Sequence, residues 1–240
     1  SRIMGGKLGR NAIYVWTDTS LFTMRFVGTP FTFAFEQVGT NCGLIGQNAA
    51  VEVDGAAYWM SDNGFFRYTG KLESMDCLVE DFVYDDLNTT SNQLVYCGIN
   101  NLFGEVTWFY ASATSNNVNR AVTYSYLDST AKRPIWFTND SSLFPRTTWE
   151  DSSVFGLPHG TQYDPDTDTS FDVQGNTDGV TYYYEHETGV NQLRDGATTA
   201  IPANITSGDY DITQKVVRGA ATNMADLRGD GENIMRVSRI

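Results

Sequence analysis

The two histidines of the chain, His159 and His186, are the first candidates for acid–base chemistry, because imidazole titrates near neutral pH. Strand alternation over residues 182–187 places Tyr182, Tyr184 and His186 on one face and the flanking glutamates on the other. The carboxylates that are adjacent in sequence therefore point away from the imidazole and cannot orient it as a general base. We interpret His186 as a plain surface histidine.

A second candidate is the acidic stretch between Asp164 and Asp172, whose carboxylates occur at alternate positions, as in calcium-binding loops. The EF-hand pattern also requires glycine at its sixth position and glutamate at its twelfth, where this chain has Thr169 and Gly175. Pro165 also interrupts the stretch. We interpret it as a solvated acidic loop and leave calcium binding open. No Cys-x-x-Cys or His-x-x-x-His pair indicates a zinc site.

The chain has three cysteines, Cys42, Cys77 and Cys97. A disulfide-stabilised secreted fold usually has more cysteines and an even number of them, so this count does not indicate one. We expect free thiols in a protein that folds in a reducing cytosol. Cys42 lies in a glycine-rich turn, but no neighbour in sequence would activate it as a nucleophile. We therefore expect a buried thiol there, and the sequence predicts no catalytic residue, no metal site and no cofactor.

The charge balance narrows the classes of partner. With 16 Lys and Arg against 29 Asp and Glu, the net charge is -13 and the pI is about 4.4, which argues against tight binding of nucleic acid or an anionic membrane. This charge is still compatible with a surface along which DNA passes without binding. Five carboxylates could line such a passage, although a solvated helix face is the simpler interpretation. They are Asp76, Glu80, Asp81, Asp85 and Asp86.

No run approaches the roughly 18 apolar residues of a membrane span, and no signal peptide opens the chain. The chain begins at Ser1 and ends in a strand-like run over residues 233–240. We expect a processed or partial segment of a longer polypeptide.

The elements that must position these residues are short strands joined by tight turns. Asp54-Gly55 and Asn63-Gly64 are turn signals, the second inside a four-residue loop, because glycine tolerates the positive φ of hairpin turns. They separate predicted strands at 49–53, 56–60, 65–69 and 72–75. Four antiparallel strands in one meander bury too little apolar surface to be stable alone, so they must stack on similar neighbours.

Similar strand patterns recur along the chain. They occur at residues 11–26 (strand, turn, strand), 31–35, 105–110, 120–126, 135–138, 147–150, 181–187 and 209–213. Trp16, Trp59 and Trp108 follow one another at roughly the 40–50-residue period of propeller blades, whereas Trp136 and Trp149 break that spacing. The sequence predicts an all-β fold, an incomplete β-propeller of about four to five meander blades.

Between two of these blades we predict a helical connector near residues 76–97. Apolar residues recur at helical spacing over residues 76–87, Asp76 is placed to cap the start, and residues 90–97 add a second short helix. Residues 139–178 are rich in Asp, Thr, Ser, Gly and Pro and are predicted to form long surface loops. The propeller domain is assigned to residues 1–217, and residues 218–240 to a loose linker and a terminal strand.

Three segments of the chain are similar to virion structural proteins of marine tailed phages. They are IYVWTDTSLFTMRF (13–26), QVGTNCGLIG (37–46) and AYWMS (57–61). More distantly, the chain resembles the packaged-DNA stabilisation protein, or tail hub, of short-tailed phages. A short acidic helix (77–87) followed by a polar turn and the strand at 105–110 extends this likeness, which covers about residues 11–140 and rests on many strand and turn residues.

This resemblance implies a β-propeller subunit of a ring beneath the portal and adaptor proteins. Such rings form the tail channel or nozzle, retain the packaged genome and release it during infection. The family has no catalytic residues to transfer to this chain. The resemblance also implies location in the virion tail, assembly in the host cytoplasm, contacts with portal, adaptor or other tail proteins, and passage of DNA without tight binding.

Two other functions stay open at this point. A propeller on the virion periphery could bind a host glycan or receptor through Tyr182, Tyr183 and Tyr184, because sugar faces stack on aromatic rings, although half of that cluster should face the core. A propeller-fold hydrolase would need two paired carboxylates, and no pair is indicated by the sequence.

Overall fold

The computed structural model describes residues 1–131, 133–139, 146–164, 179–194 and 196–201, together with two short strands at 210–211 and 234–235. It divides into two compact units, Ser1–Glu187 and Thr188–Ile240. The predicted domain boundary after residue 217 falls among residues 212–233, outside the described residues, and stays a prediction.

The first unit is built of antiparallel meanders in chain order. Its strands are β1 (Ile3–Leu8), β2 (Ile13–Thr17), β3 (Ser20–Gly28), β4 (Thr32–Thr40), β5 (Ala50–Val53), β6 (Ala56–Ser61), β7 (Gly64–Tyr68), β8 (Leu72–Met75), β9 (Tyr96–Asn100), β10 (Glu105–Tyr110), β11 (Arg120–Ser125), β12 (Trp136–Asn139), β13 (Thr148–Glu150), β14 (His159–Asp164) and β15 (Val180–Glu185).

These strands form a first sheet (β1–β4), a second sheet (β5–β8), a third sheet (β9–β12) and a three-stranded fourth sheet (β13–β15). The helix α1 (Glu80–Asp85) and a 3-10 helix (Thr89–Leu94) lie between the second and third sheets. In the second unit, β16 (Asn191–Arg194) pairs with β17 (Ala197–Ala200), and β18 (Tyr210–Asp211) pairs with β19 (Ile234–Met235). The prediction of an all-β fold of repeated antiparallel meanders is confirmed.

The second sheet follows the sequence prediction closely. Asp54 and Gly55 form a two-residue turn with φ of 54° and 85°, the mirror-image turn that suits a hairpin. The predicted four-residue loop around Asn63 is wrong, because Ser61 pairs with Gly64 and only two residues turn. The strand β6 is therefore one residue longer than predicted, and β7 begins and ends one residue earlier.

The first strands of successive sheets lie side by side: β1 contacts β5, β5 contacts β9, and β9 contacts β13. The backbone N–H of Cys97 donates to the carbonyl of Asn48 at 2.8 Å, which connects the third sheet to the segment just before β5. At Gly98, a Cβ atom would lie 2.6 Å from Cδ1 of Trp149, so only glycine allows the fourth sheet to approach this closely. The sheets are thus densely packed along their first strands.

Aromatic side chains fill the space between neighbouring sheets. Ring centroids are 5.5 Å apart for Trp16 and Trp59, and 5.0 Å apart for Phe65 and Trp108. The three tryptophans Trp16, Trp59 and Trp108 occupy the second strand of the first three sheets and are fully buried. The three tryptophans thus recur at the same place in three successive antiparallel sheets. Each buried aromatic ring removes roughly 150–250 Å² from water, which is the main source of stability for such a stack.

The two tryptophans that break the spacing occupy other positions. Trp136 lies on β12, the last strand of the third sheet, and Trp149 lies on β13, the first strand of the fourth. Both still pack between sheets: the ring of Trp136 lies 4.9 Å from that of Phe65, and the ring of Trp149 lies 6.2 Å from that of Phe109.

Indole N–H groups of the second, third and fourth sheets donate to carbonyls earlier in the chain, two of them in the segment between β4 and β5 and one in β9. Trp59 donates to the carbonyl of Cys42 at 2.9 Å, Trp108 donates to Ala49 at 3.0 Å, and Trp149 donates to Ile99 at 2.7 Å. Because a buried N–H that lacks a partner costs free energy, these bonds favour one relative position of each pair of sheets.

The helical connector is shorter than predicted. Asp76 does not cap it: α1 begins at Glu80, its N-cap residue is Val79, and no side chain caps it. The carbonyl of Asp76 instead accepts the indole N–H of Trp136 at 2.9 Å. The second predicted helix, at 90–97, is a 3-10 helix that ends at Leu94, and the following residues enter β9.

The prediction of long loops over residues 139–178 is wrong at one place. Residues 159–164 form β14, the central strand of the fourth sheet, although HGTQYD has little of the apolar alternation that indicates a strand. The strand predicted at 147–150 is confirmed as β13. Residues 140–145 and 165–178 lie outside the described residues.

Candidate functional site

The first place where a ligand could bind is a cleft of about 330 Å³ between the outer strands of the second and third sheets. It is lined by Arg67, Glu73, Ser74, Met75, Asp76, Tyr124, Ser129, Thr130, Ala131 and Pro134. Its volume would hold a small polar molecule.

Two of the three charged side chains on the wall of this cleft, Arg67 and Glu73, are paired with each other, and the third, Asp76, is exposed. Nε of Arg67 lies 2.8 Å from Oε2 of Glu73, and each side chain is about one-third exposed. Burial alone would lower the pKa of Arg67, but the hydrogen bond and the charge of Glu73 outweigh it and raise the pKa. Among the described lining residues no histidine or cysteine is present to act as a base or nucleophile. The cleft is thus a weak candidate for catalysis.

A second candidate is a buried polar cluster around Arg146, which is only 9% exposed. Its Nε donates to Nε2 of His186 at 2.8 Å, and its Nη1 donates to Oε1 of Gln162 at 3.3 Å. The guanidinium also lies 4.3 Å from the centre of the Tyr184 ring. Sequence analysis did not find this cluster, because its members are distant in sequence and no local pattern connects them.

His186 is therefore not the plain surface histidine that the sequence indicated. It follows the end of β15, and its ring lies 4.5 Å from that of Trp149. Burial, the charge of Arg146 and the nearby His159 lower the pKa of His186 to about 4, so the imidazole is neutral at physiological pH. Burial lowers the pKa of Arg146 as well. The partners of the Arg146 cation are neutral, and the arrangement connects β14 and the end of β15 to the segment before β13. It resembles a structural cluster more than an acid–base pair.

The other histidine lies in an aromatic group on the outward face of the fourth sheet. The rings of His159 and Tyr183 stack at 5.2 Å, Phe155 packs against His159 at 4.9 Å, and the Tyr183 hydroxyl is hydrogen-bonded to Nδ1 of His159. Tyr183 is 65% exposed, whereas Tyr182 and Tyr184 are partly buried. The prediction that half of the tyrosine cluster faces inward is confirmed.

All three cysteines are free, and none is placed as a nucleophile. Cys42 is fully buried, as predicted, and burial raises the pKa of its thiol. Burial also raises the pKa of Cys77 to about 12 and that of Cys97 well above its usual value. Since the thiolate is the reactive form, these thiols have low reactivity in the folded protein.

The acidic connector has the character of a solvated face. Asp76, Asp81 and Asp85 are exposed, and Asp86 forms an ion pair with Arg120 at 3.0 Å. Glu80 is half-buried, and burial followed by the charges of its acidic neighbours raises its pKa.

Tyr84 was missed in the sequence because it lies in this acidic stretch. Its hydroxyl donates to the carbonyl of Ser61 and accepts the N–H of Gly64 at 3.1 Å, so it connects α1 to the turn between β6 and β7.

Among the described residues, no group of three or more His, Cys, Asp or Glu side chains converges to hold a metal ion. Of the acidic stretch considered for calcium, only the backbone of Asp164 belongs to the described part of the chain, and the stretch as far as Asp172 lies outside it. The described helices include none that is long and apolar enough to cross a membrane.

Comparison with protein-family models and with curated proteins finds no match for this chain.

Proposed function

We propose that this chain is a structural, non-enzymatic component of a phage tail or head–tail channel, a tail hub or nozzle, in which copies form a ring that retains packaged DNA and conducts it at ejection. The observation that carries the proposal is the order of the first strands, β1, β5, β9 and β13, which lie side by side in chain order. It is supported by the resemblance of residues 11–140 to virion structural proteins of tailed phages.

The fold that best accommodates this arrangement is part of a β-propeller. Each propeller blade is a four-stranded meander whose first strand lies nearest the axis, and blades pack face to face. In support, the first three sheets are four-stranded meanders, and aromatic rings such as those of Trp16 and Trp59 or Phe65 and Trp108 fill the faces between them. Such a stack is stiff, because each sheet is fixed by its neighbours, and stiffness suits the wall of a channel under load.

Among the described residues, the side chains that could react are paired, neutral or buried, which also favours a structural role. The charges of Arg67 and Glu73 neutralise each other, and burial together with the charge of Arg146 keeps His186 neutral. The thiols of Cys42 and Cys77 are buried, and that of Cys97 is half-buried. The net charge of -13 repels phosphates, so DNA could pass a neighbouring lumen without being retained on the protein.

The proposal is tested by the size of the assembly and by its place in the virion. Native mass measurement and negative-stain imaging of the purified chain should reveal a closed ring of several copies. Quantitative mass spectrometry of gradient-purified virions, intact and stripped of tails, should find the chain only where tails are present. A chain that stays with tailless heads, or that is absent from virions, would contradict a tail role.

A second function, binding of a host glycan, is favoured by one observation. The stacked group of Phe155, His159 and Tyr183 presents an exposed aromatic surface to which a sugar ring could bind. Glycan-array binding that is lost in Tyr183→Ala but kept in Tyr182→Phe, a change at a partly buried neighbour, would support this alternative over the channel role. No binding on the array would leave the channel as the better proposal.

A further inference from the structure

Within the described part of the first unit, the first sheet has one face that none of the other three sheets covers. Residues paired across its strands share a face, and the pairs form two rows, Leu8–Ile13–Met24–Phe35 and Gly6–Val15–Phe22–Gln37, extended by the pair Phe26–Phe33. We call these ten residues the open face. The opposite face contains Tyr14 and Trp16, which pack against Tyr68 and Trp59 of the second sheet.

The open face is apolar, and six of its ten residues are exposed while the other four are half-buried. Nine of its ten residues have no side-chain hydrogen-bonding group, none is charged, and the amide of Gln37 already donates to Ser20. Leu8 is 77% exposed, Phe26 73% and Phe35 65%. A sheet face in contact with water normally carries polar side chains at these alternate positions. An apolar surface of several hundred Å² therefore indicates a contact surface.

We propose that the open face is the surface through which two copies of this chain associate, each covering the open face of the other. This inference does not rest on a role in a phage tail, because it concerns only the contact between copies. It does add a constraint to the proposed ring: a contact that uses the same face on both partners joins copies in pairs, so a closed assembly that contains it has an even number of copies.

The net charge of the chain is the first reason why a second copy, in this orientation, would cover the open face. Two chains of net charge -13 repel each other over most of their surfaces. None of the ten residues of the open face carries a carboxylate, so two copies can meet through this face without placing carboxylates against each other. A head-to-tail contact with the outward face of the fourth sheet would instead press Glu150 and Glu185, which lie in one row of that face, against aromatic rings. Taking these carboxylates out of water there would be costly.

Area and shape are the second reason. The exposed aromatic and aliphatic side chains of the open face present an area on the order of the 800 Å² that each partner buries in a typical specific interface. Two sheets can pack face to face with their side chains interleaved, about 10 Å apart, as the sheets of a β-sandwich do. The rings of Phe26 and Phe33 already pack edge to face at 5.9 Å, which leaves an irregular surface suited to interleaving.

The test uses the full chain and a matched pair of variants on one strand. Phe35→Glu places a charge on the open face, and Ala34→Glu places the same charge one residue away, on the opposite side of β4, where Ala34 is exposed. Native mass spectrometry and light scattering across micromolar concentrations should find dimers, or larger assemblies of even number, for the unaltered chain and for Ala34→Glu. Phe35→Glu should raise the dissociation constant of the pair by about ten-fold or more.

Circular dichroism and thermal unfolding of each variant establish that it is folded, and Phe26→Glu replaces Phe35→Glu if the latter is not. A chain that is monomeric throughout this range, an assembly of odd number, or equal effects of Phe35→Glu and Ala34→Glu would each overturn the inference. A ring of odd number that is still found only in tailed virions would overturn this pairing and leave the proposed tail function intact.

Discussion

Nε of Arg146 donates a 2.8 Å hydrogen bond to Nε2 of His186. This bond between a buried cation and the imidazole exists only while Nε2 carries no proton. This contact connects the segment before β13 to the end of β15, and protonation of His186 would replace it with two adjacent positive charges. The fourth sheet is therefore expected to be sensitive to acid.

The first prediction is a loss of stability between about pH 6.5 and pH 4 that depends on His186. Its pKa falls from 6.5 to about 4 on folding, so the unfolded chain binds more protons in this window, and the free energy of unfolding decreases as the pH falls. Allowing for partial exposure, the contribution is on the order of 2 kcal/mol. Urea titrations at several pH values should give a flatter profile for His186→Gln, which keeps an acceptor for Arg146. Identical profiles for the two proteins would contradict this prediction.

The second prediction concerns the indole hydrogen bonds between sheets. Trp108→Phe removes the donor to Ala49 in a fully buried site and should lower the free energy of unfolding by about 2–4 kcal/mol, through an unsatisfied carbonyl and a cavity. Trp136→Phe is the matched control, because Trp136 donates to Asp76 in a less buried site, and it should cost about half as much or less. Chemical denaturation measures both, and equal losses would show that burial of the donor is not decisive.

The third prediction tests the turn between β5 and β6. Gly55 has a φ of 85°, so Gly55→Ala should destabilise the protein by about 1 kcal/mol or more, because a side chain strains this backbone conformation. Asp54 has a φ of 54°, which asparagine adopts readily, so Asp54→Asn should change stability by only a few tenths of a kcal/mol. Thermal melting of both variants provides the comparison. If Gly55→Ala were as stable as Asp54→Asn, the turn would not have this geometry.

The fourth prediction is that the three thiols resist modification in the native state. Burial raises the pKa of Cys42, Cys77 and Cys97, so little thiolate forms near pH 8. Reaction with Ellman's reagent should be slow for the folded chain and complete within the mixing time in denaturant. Rapid stoichiometric labelling without denaturant would show that at least one thiol is accessible and activated.

Local patterns allowed much of the fold to be predicted. The second sheet was predicted because Asp54-Gly55 and Asn63-Gly64 specify turns within a few residues, whatever the rest of the chain does. The strand β14 was missed because its burial depends on neighbours on both sides of it and hardly on its own composition. Asp76 was wrongly predicted as a helix cap because its carbonyl is used by Trp136, a residue distant in sequence.

The candidate sites were harder to predict for the same reason. Arg146 meets Gln162 and His186 only after three strands have paired, and no motif marks these positions in the sequence. Tyr84 is surrounded by acidic residues in the sequence. In the fold its hydroxyl is buried, because α1 packs against the turn at Gly64. Contacts of this kind follow from tertiary structure and carry no periodic signal.

The side-by-side order of the four sheets has a consequence for how the protein opens. A sheet with a neighbour on each side can expose its amides only when an adjoining layer separates first, whereas an end sheet can fray on its own. Amide hydrogens of β6 and β10, in the two inner sheets, should thus exchange with deuterium more slowly than those of β2 and β14. We therefore expect this stack of sheets to unfold from its end sheets inward.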